Sequence, residues 1–312
     1  MRFKQTSGFT MIELLFVIVI MGLIGGIALE TIRQYYEGIY RSQIYTQRVN
    51  EADHILEQLA KQFENAIELS IVNMDQDTAD GALAGACVGE PIEEAENVAS
   101  DYTVAFVGVD TDSLRTVGKP GWSENAKTPF TGNSITMEDA NLSLANIIIS
   151  ALYPASNLQN SAIYNHQGLS NDSCADFFTL NGAAYYTITG ALVGDTLPLA
   201  YTGVFDGSRS DYYQKKYLLR TGYAFRVLDS GEFVMFSNFR PWKGESYTTS
   251  RRSTLGQNVA SFYADYNKTN SYNDRGSVWR LKVCMQGLNS ELNTTDTASQ
   301  AICRERRVHV RY

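Results

Sequence analysis

From Leu14 to Ala28 the chain carries no charged or hydrogen-bonding side chain, and Phe9, Met11 and Ile12 extend that apolar surface towards the N-terminus. Only Thr10 and Glu13 interrupt it. A run of about twenty such residues is long enough to cross a hydrocarbon core as a helix. Arg2 and Lys4 precede it, and positive flanks stay on the cytoplasmic side, so everything after the run is expected to be exported. A secretory signal peptide is cleaved behind its apolar stretch; here the small residue Gly8 stands in front, and a cut at Gly8 keeps the anchor. Glu13 is the anomaly. A carboxylate at the centre of a spanning helix costs roughly 2.5–3.5 kcal/mol, so Glu13 either lies in the headgroup layer or has a partner.

The residues Gly8-Phe9-Thr10-Met11-Ile12-Glu13-Leu14 resemble the processing site of type IV prepilins and pseudopilins, whose usual form is GFTLIEL, with Met11 in place of Leu. The resemblance implies cleavage between Gly8 and Phe9 by a membrane peptidase that also methylates the new N-terminus. It implies pairing of Glu13 with the freed amine of Phe9 on a neighbouring subunit, with other pilin subunits and an inner-membrane assembly platform as further partners. It covers about the first thirty residues.

Past Glu30 the apolar pattern becomes one-sided. Ala52, Leu56, Leu59, Phe63 and Ala66 recur at three- and four-residue spacing, and no proline occurs before Pro91. The pattern predicts one helix from Phe9 to about Val72, on the order of 95 Å long. Gly22, Gly25 and Gly26 lie in its apolar third, where each costs about 1 kcal/mol relative to Ala. Two readings stand: local loosening of the stalk, which the resembling family shows on assembly, or close approach of another helix. The domain reading is therefore a leader over 1–8, a transmembrane and filament-core helix over 9–30, its amphipathic half over 31–72, and a mostly-β head with loop insertions over 73–312.

Within the head, Asn73 to Glu96 turns acidic and rich in Ala and Gly. Asp75, Asp77 and Asp80 there fail the calcium-loop pattern, with Ala79 and Ala86 at ligand positions. Strand signals occupy Tyr102–Val109, Ala183–Val193, Leu199–Phe205, Tyr217–Leu228, Phe233–Phe239, Val278–Met285 and Arg307–Tyr312. Asp229-Ser230-Gly231 reads as a hairpin turn, Leu142–Tyr153 as a short helix or a buried strand, and Gly118–Gly132 and Asn157–Ser173 as loops. Leu255–Phe262 followed by Val278–Val283 resembles the late part of the larger minor subunits, the J-type pseudopilins and W-type minor pilins. The fold class expected is α+β, a long N-terminal helix packed on an antiparallel sheet, as in pilins.

A formal charge of −8 over 34 acids and 26 bases, with no basic block, leaves no nucleic-acid footprint over the chain. Cys87, Cys174, Cys284 and Cys303 lack the CxxC spacing of a zinc or redox site; four cysteines allow three pairings, and Cys284 with Cys303 is favoured because the polar stretch between them can loop out. Asn141, Asn171, Asn267 and Asn293 begin N-x-[ST] acceptors, and Asn141, Asn267 and Asn293 carry an acid two residues earlier, as in bacterial glycosylation acceptors. His54, His166 and His309 are dispersed in sequence, so neither a metal, a cofactor nor a catalytic constellation is expected. The 19 tyrosines and the pair Arg251-Arg252 suit a sheet core or a binding surface, with the core favoured for the tyrosines. The function expected is a structural, non-enzymatic filament subunit of a type IV pilus-like or type II secretion system. It is expected to sit first in the bacterial inner membrane, single-pass with a periplasmic head, and then in the filament. The alternatives are a membrane-tethered or tip-located adhesin and, third, a tethered periplasmic enzyme.

Overall fold

A computed structural model describes residues 10–75, 102–114, 118–124, 133–153, 156–165, 175–178, 185–200, 215–266, 278–287 and 301–310. Helix α1 runs from Met11 to Phe63, 53 residues without a break and about 80 Å long at 1.5 Å per residue. It ends nine residues short of the expected Val72. The reason is competition from the sheet: the Ile67 N–H donates to Val107 O at 3.0 Å, the Val109 N–H donates to Asn65 O at 2.9 Å, and Ala66 bridges Gly108. The chain then passes through a 3₁₀ turn, Glu68–Ser70, into strand β1, Val72–Asp75.

The described strands are antiparallel and form two sheets. In the larger, β2 (Tyr102–Val109) lies along one edge of β7 (Lys216–Val227); β4 (Ala162–Asn165) and β8 (Phe233–Phe239) follow one another along the other. The sheet therefore forks at β7. One arm continues through β5 (Tyr185–Ile188) and β6 (Thr196–Ala200) to β3 (Ser134–Thr136), and the other through β8 to β9 (Arg251–Gly256). The smaller sheet orders β10 (Val259–Tyr266), β11 (Val278–Met285) and β12 (Ile302–His309).

Period-two alternation puts β2 in two cores at once: Val104 and Phe106 face one side, Ala105 and Val107 the other. The first side is closed by the C-terminal part of α1 and by Trp279, Leu281, Val283 and Met285 of β11. Phe63 sits at its centre, its ring 4.7 Å from Phe106, 5.9 Å from Phe225 and 6.4 Å from Trp279. On the other side Phe177 and Phe178, in the short helix α3 (Ala175–Phe178), pack with Trp242 and Tyr247. Helix α2, Leu142–Leu152, buries Leu142, Ala145 and Ile149 against Ile163, Leu197 and Leu218; the Asn141 side chain caps it, accepting from the Leu144 N–H at 3.0 Å.

The β7–β8 hairpin turns at Asp229-Ser230-Gly231, where Gly231 takes φ 77°, a left-handed conformation that favours glycine. Strand β3 lies where no strand was expected, β12 begins at Ile302 and not at the expected Arg307, and two further stretches differ from expectation. Asn157–Ser173 contains β4, whose Ala162, Ile163 and Tyr164 are buried; its Asn and Ser neighbours lie in the flanking 3₁₀ turn, Leu158–Asn160, and masked the strand. Strands β9 and β10 lie where no strand was expected, because Arg251-Arg252-Ser253-Thr254 has no apolar alternation; β9 pairs with β8 and leaves its two arginines exposed.

Cys284 and Cys303 are register partners on β11 and β12, and a disulfide joins them with a Cα separation of 4.0 Å. Buried tyrosines are numerous, among them Tyr164, Tyr185, Tyr217 and Tyr223. Cys87, Cys174, His166, Asp77, Asp80, Asn171, Asn267 and Asn293 lie outside the described residues.

Candidate functional site

The N-terminal half of α1 is exposed throughout and touches none of the described residues of the head. Met11 and Ile12 are 87% and 83% exposed, and an 18-residue window of the helix reaches a mean hydropathy of 2.7 with none of it buried. This is one helix long and apolar enough to cross a membrane, judged by length and composition. Thr10 enters it in extended conformation, and the Glu13 and Leu14 N–H groups donate to Thr10 O at 3.0 and 3.2 Å. Glu13 thus occupies the first turn, exposed, where the helix dipole favours an anion. The next ionisable side chain is Glu30. Gly8 and Phe9 lie outside the described residues.

Beyond Glu30 the helix becomes polar on one side. Arg33 Nε meets Glu37 Oε1 at 2.9 Å, and Gln34 donates to Glu30 Oε1 at 3.2 Å. Contact with the head begins at the half-buried Ile44 and the buried Arg48. Arg48 Nη1 lies 3.2 Å from Glu51 Oε2, and an Asn258 amide turned with its oxygen towards the guanidinium accepts at 2.7 Å. Asn258 has φ 58° and shapes the β9–β10 turn, whose Gly256 lies against Ile55: a Cβ there would sit 2.5 Å from Ile55 Cδ1. Between helix and turn runs a groove of about 650 Å³ lined by residues including Tyr40, Gln47, His54 and Gln257.

A second cluster went unread in the sequence. Arg220, buried in β7, reaches Asp110 Oδ1 at 3.3 Å, Asp112 Oδ2 at 2.9 Å and Tyr223 Oη at 2.9 Å, and its guanidinium lies 3.6 Å above the Tyr153 ring. Tyr153 Oη donates to Asp112 at 3.0 Å, and Ser113 Oγ donates to Asp110. Burial pushes the Asp110 carboxyl above its ordinary range, against the Ser113 hydrogen bond and the Arg220 charge, which pull it down. Burial likewise raises Tyr153. The cluster ties the end of β2, the middle of β7 and the end of α2 together, where the cores under α1 and α2 meet. Its signal was Arg220, one of two arginines, with Arg226, inside the mostly apolar and aromatic run Tyr217–Leu228.

Of the remaining expected residues, Asn141 is exposed and uses its side-chain oxygen as a helix cap. His54 contacts Gln58 at 2.7 Å on the helix surface, and His309 is exposed on β12. No group of three His, Cys, Asp or Glu suited to a metal occurs among the described residues.

Residues 3–29 match the family model for the prokaryotic N-terminal methylation motif. The chain carries the class III signal of type IV prepilins and pseudopilins. No curated protein and no solved structure matches it. The motif implies processing by a prepilin peptidase and assembly with other pilins, and the motif and apolar helix fit membrane anchoring with a single pass. With α1 standing on antiparallel sheets, this prepilin-type chain has a pilin-like α+β architecture.

Proposed function

We propose that this prepilin-type chain is a structural subunit of a type IV pilus-like or type II secretion filament, a minor one given its bulky head. The observation that carries the reading is the all-round exposure of α1 from Met11 to Leu29 in a protein whose other helices and sheets are packed. Such a surface is stable only in lipid or against other apolar helices. The chain waits in the inner membrane with its head in the periplasm. After cleavage between Gly8 and Phe9 and methylation, α1 passes from lipid into a bundle of neighbouring helices. Glu13 sets the register by facing the freed Phe9 amine of a neighbour. Two unit charges 4 Å apart attract by roughly 4 kcal/mol at an effective dielectric near 20, before desolvation is subtracted.

Replacing Glu13 by Ala or Val tests this. The expected product is cleaved normally but enters filaments poorly; incorporation at the unsubstituted level would remove the pairing role. A tethered adhesin, by contrast, would keep its function when Glu13 is neutral.

A further inference from the structure

We infer that the outward face of helix α2, formed by Leu144, Ile147, Ile148, Ala151 and Leu152, is a contact surface for the same face of a second copy standing in the same membrane. The helix carries three rows of side chains at three- and four-residue spacing. Leu142, Ala145 and Ile149 are buried in the head. Ser143, Asn146 and Ser150 form an exposed polar row. The third row is apolar, yet Ile147 is 63% and Leu152 52% exposed, Ala151 is exposed, and Leu144 and Ile148 are half-buried. A helix apolar on two faces is ordinarily covered on both. Outside α1, the exposed large hydrophobic side chains among the described residues are Ile147, Leu152 and Val193, so two of the three share this one helix.

The position of α2 excludes the protein's own bilayer as occupant. The β7–β8 turn lies against Asn258, which faces Arg48 where α1 enters the head. From that turn β7 passes the end of α1, where Phe225 meets Phe63, and only then reaches Leu218, on which α2 rests. The face therefore stands at the end of the head remote from the apolar run.

Charge selects the occupant. The chain has a formal charge of −8, so two copies repel one another over most of their surfaces. From Ala140 to Asn165 there is no Asp, Glu, Lys, Arg or His, and here a copy can approach without like charges being opposed. A partner recognised through charge would need a rim of one sign, which α2 does not offer. Size points the same way. A helix of 11 residues is about 16 Å long, and one face of it falls short of the roughly 800 Å² per partner that a free complex buries. Anchoring by α1 supplies what area does not, because two copies in one membrane present α2 at the same height and at high effective concentration. Across a twofold axis the contact is isologous, and Ile147, the middle residue of Leu142–Leu152, faces its own counterpart. The surface rests on the anchoring of α1 and goes beyond the filament reading.

Oxidative cross-linking of the full-length chain in membranes tests the inference. Ile147→Cys should give disulfide-linked dimers several-fold above the unsubstituted protein, which carries the native cysteines. Ser150→Cys, exposed on the polar row, should stay at that background. Adding Leu152→Asp, or the milder Leu152→Ser, to Ile147→Cys should return the yield to background without moving the urea midpoint, since Leu152 is half exposed. Equal yields at 147 and 150, background yield at 147, or dimers that persist with both changes at Leu152 would each overturn the surface, and would leave the Glu13 test of the filament reading untouched. A cross-linked species of another mass would overturn the second copy and make a different protein the occupant. Recovery of the chain in the soluble fraction would overturn the anchoring, and this surface with it.

Discussion

Arg220 shows what a single charge does inside this head. It is nearly inaccessible, yet it faces two carboxylates, a tyrosine hydroxyl and a ring face. Removing one partner of a buried pair leaves the other without compensation, at a cost of 3–5 kcal/mol. Arg220→Met is therefore expected to lose about 3 kcal/mol of stability near pH 7, read as a lowered urea midpoint for the full chain in detergent. The pH dependence has a definite sign. Burial already holds the folded Asp110 pKa above its unfolded value, so the native state binds this proton more tightly, and stability is gained as pH falls through the folded pKa. Without Arg220 that pKa rises further, so the deficit of Arg220→Met should narrow as the titration moves from neutral pH to about pH 4. A deficit that stays constant or widens would show that the lost stability lies in packing on Tyr153. Gly222 is constrained sterically: a Cβ there would lie 2.5 Å from the Phe239 ring, which is itself buried. Gly222→Ala is expected to cost about 1–3 kcal/mol by overpacking, again read from the unfolding midpoint.

Among the elements, β12 shows how a strand can be written in charges. Residues Cys303 to Arg307 are all exposed, with only Ile302, Val308 and the following Val310 buried. As the edge of its sheet it presents Arg304, Arg306 and Arg307, and charges on an edge discourage pairing with another chain. What holds it is β11, the Arg304–Asp53 ion pair to α1 at 3.0 Å, and the disulfide. Closing a loop over a sequence separation of 19 corresponds to roughly 3 kcal/mol in the chain-entropy account. The double variant Cys284→Ser, Cys303→Ser is expected to lose an amount of that order in chemical denaturation, with β12 losing amide-exchange protection ahead of β7. These elements were unequally legible. β7 and β8 could be read because their apolar and aromatic residues sit in both cores, and β11 because Trp279, Leu281, Val283 and Met285 alternate into one. β9, β4 and the first half of β12 could not, since their places are fixed by backbone pairing to neighbours that the local sequence does not announce. Helix α1 was legible from its start, but its end depended on Asn65 and Ile67 finding β2.

At the scale of the molecule, α1 is one continuous helix in two environments, and its two halves answer to different partners. Residues 10–39 are exposed and rest on none of the described residues of the head, while Ala52, Ile55, Leu56, Leu59 and Phe63 are 0–2% exposed at the junction of both sheets. The Glu13 region was legible because lipid length, charge and the motif all act locally in sequence. The Arg220 cluster was not, because β2, β7 and α2 meet only on folding. The division within α1 makes a sharp prediction about truncation. Beginning the chain at Ser42 removes the apolar run and the exposed helix up to Arg41 but no buried residue of the described part, so the head should unfold at the same denaturant concentration as the intact protein. Beginning it at Glu64 withdraws the whole helical wall of the central core, where loss of even one Phe or Leu costs about 2–5 kcal/mol. Several such losses exceed the total stability of an ordinary domain, about 5–15 kcal/mol, so that chain should not fold. Near-ultraviolet circular dichroism of the two truncated chains distinguishes the outcomes: native aromatic signal in the first and none in the second. A folded product beginning at Glu64 would mean that the sheets close without α1, and that the helix is an attached stalk with no part in the core.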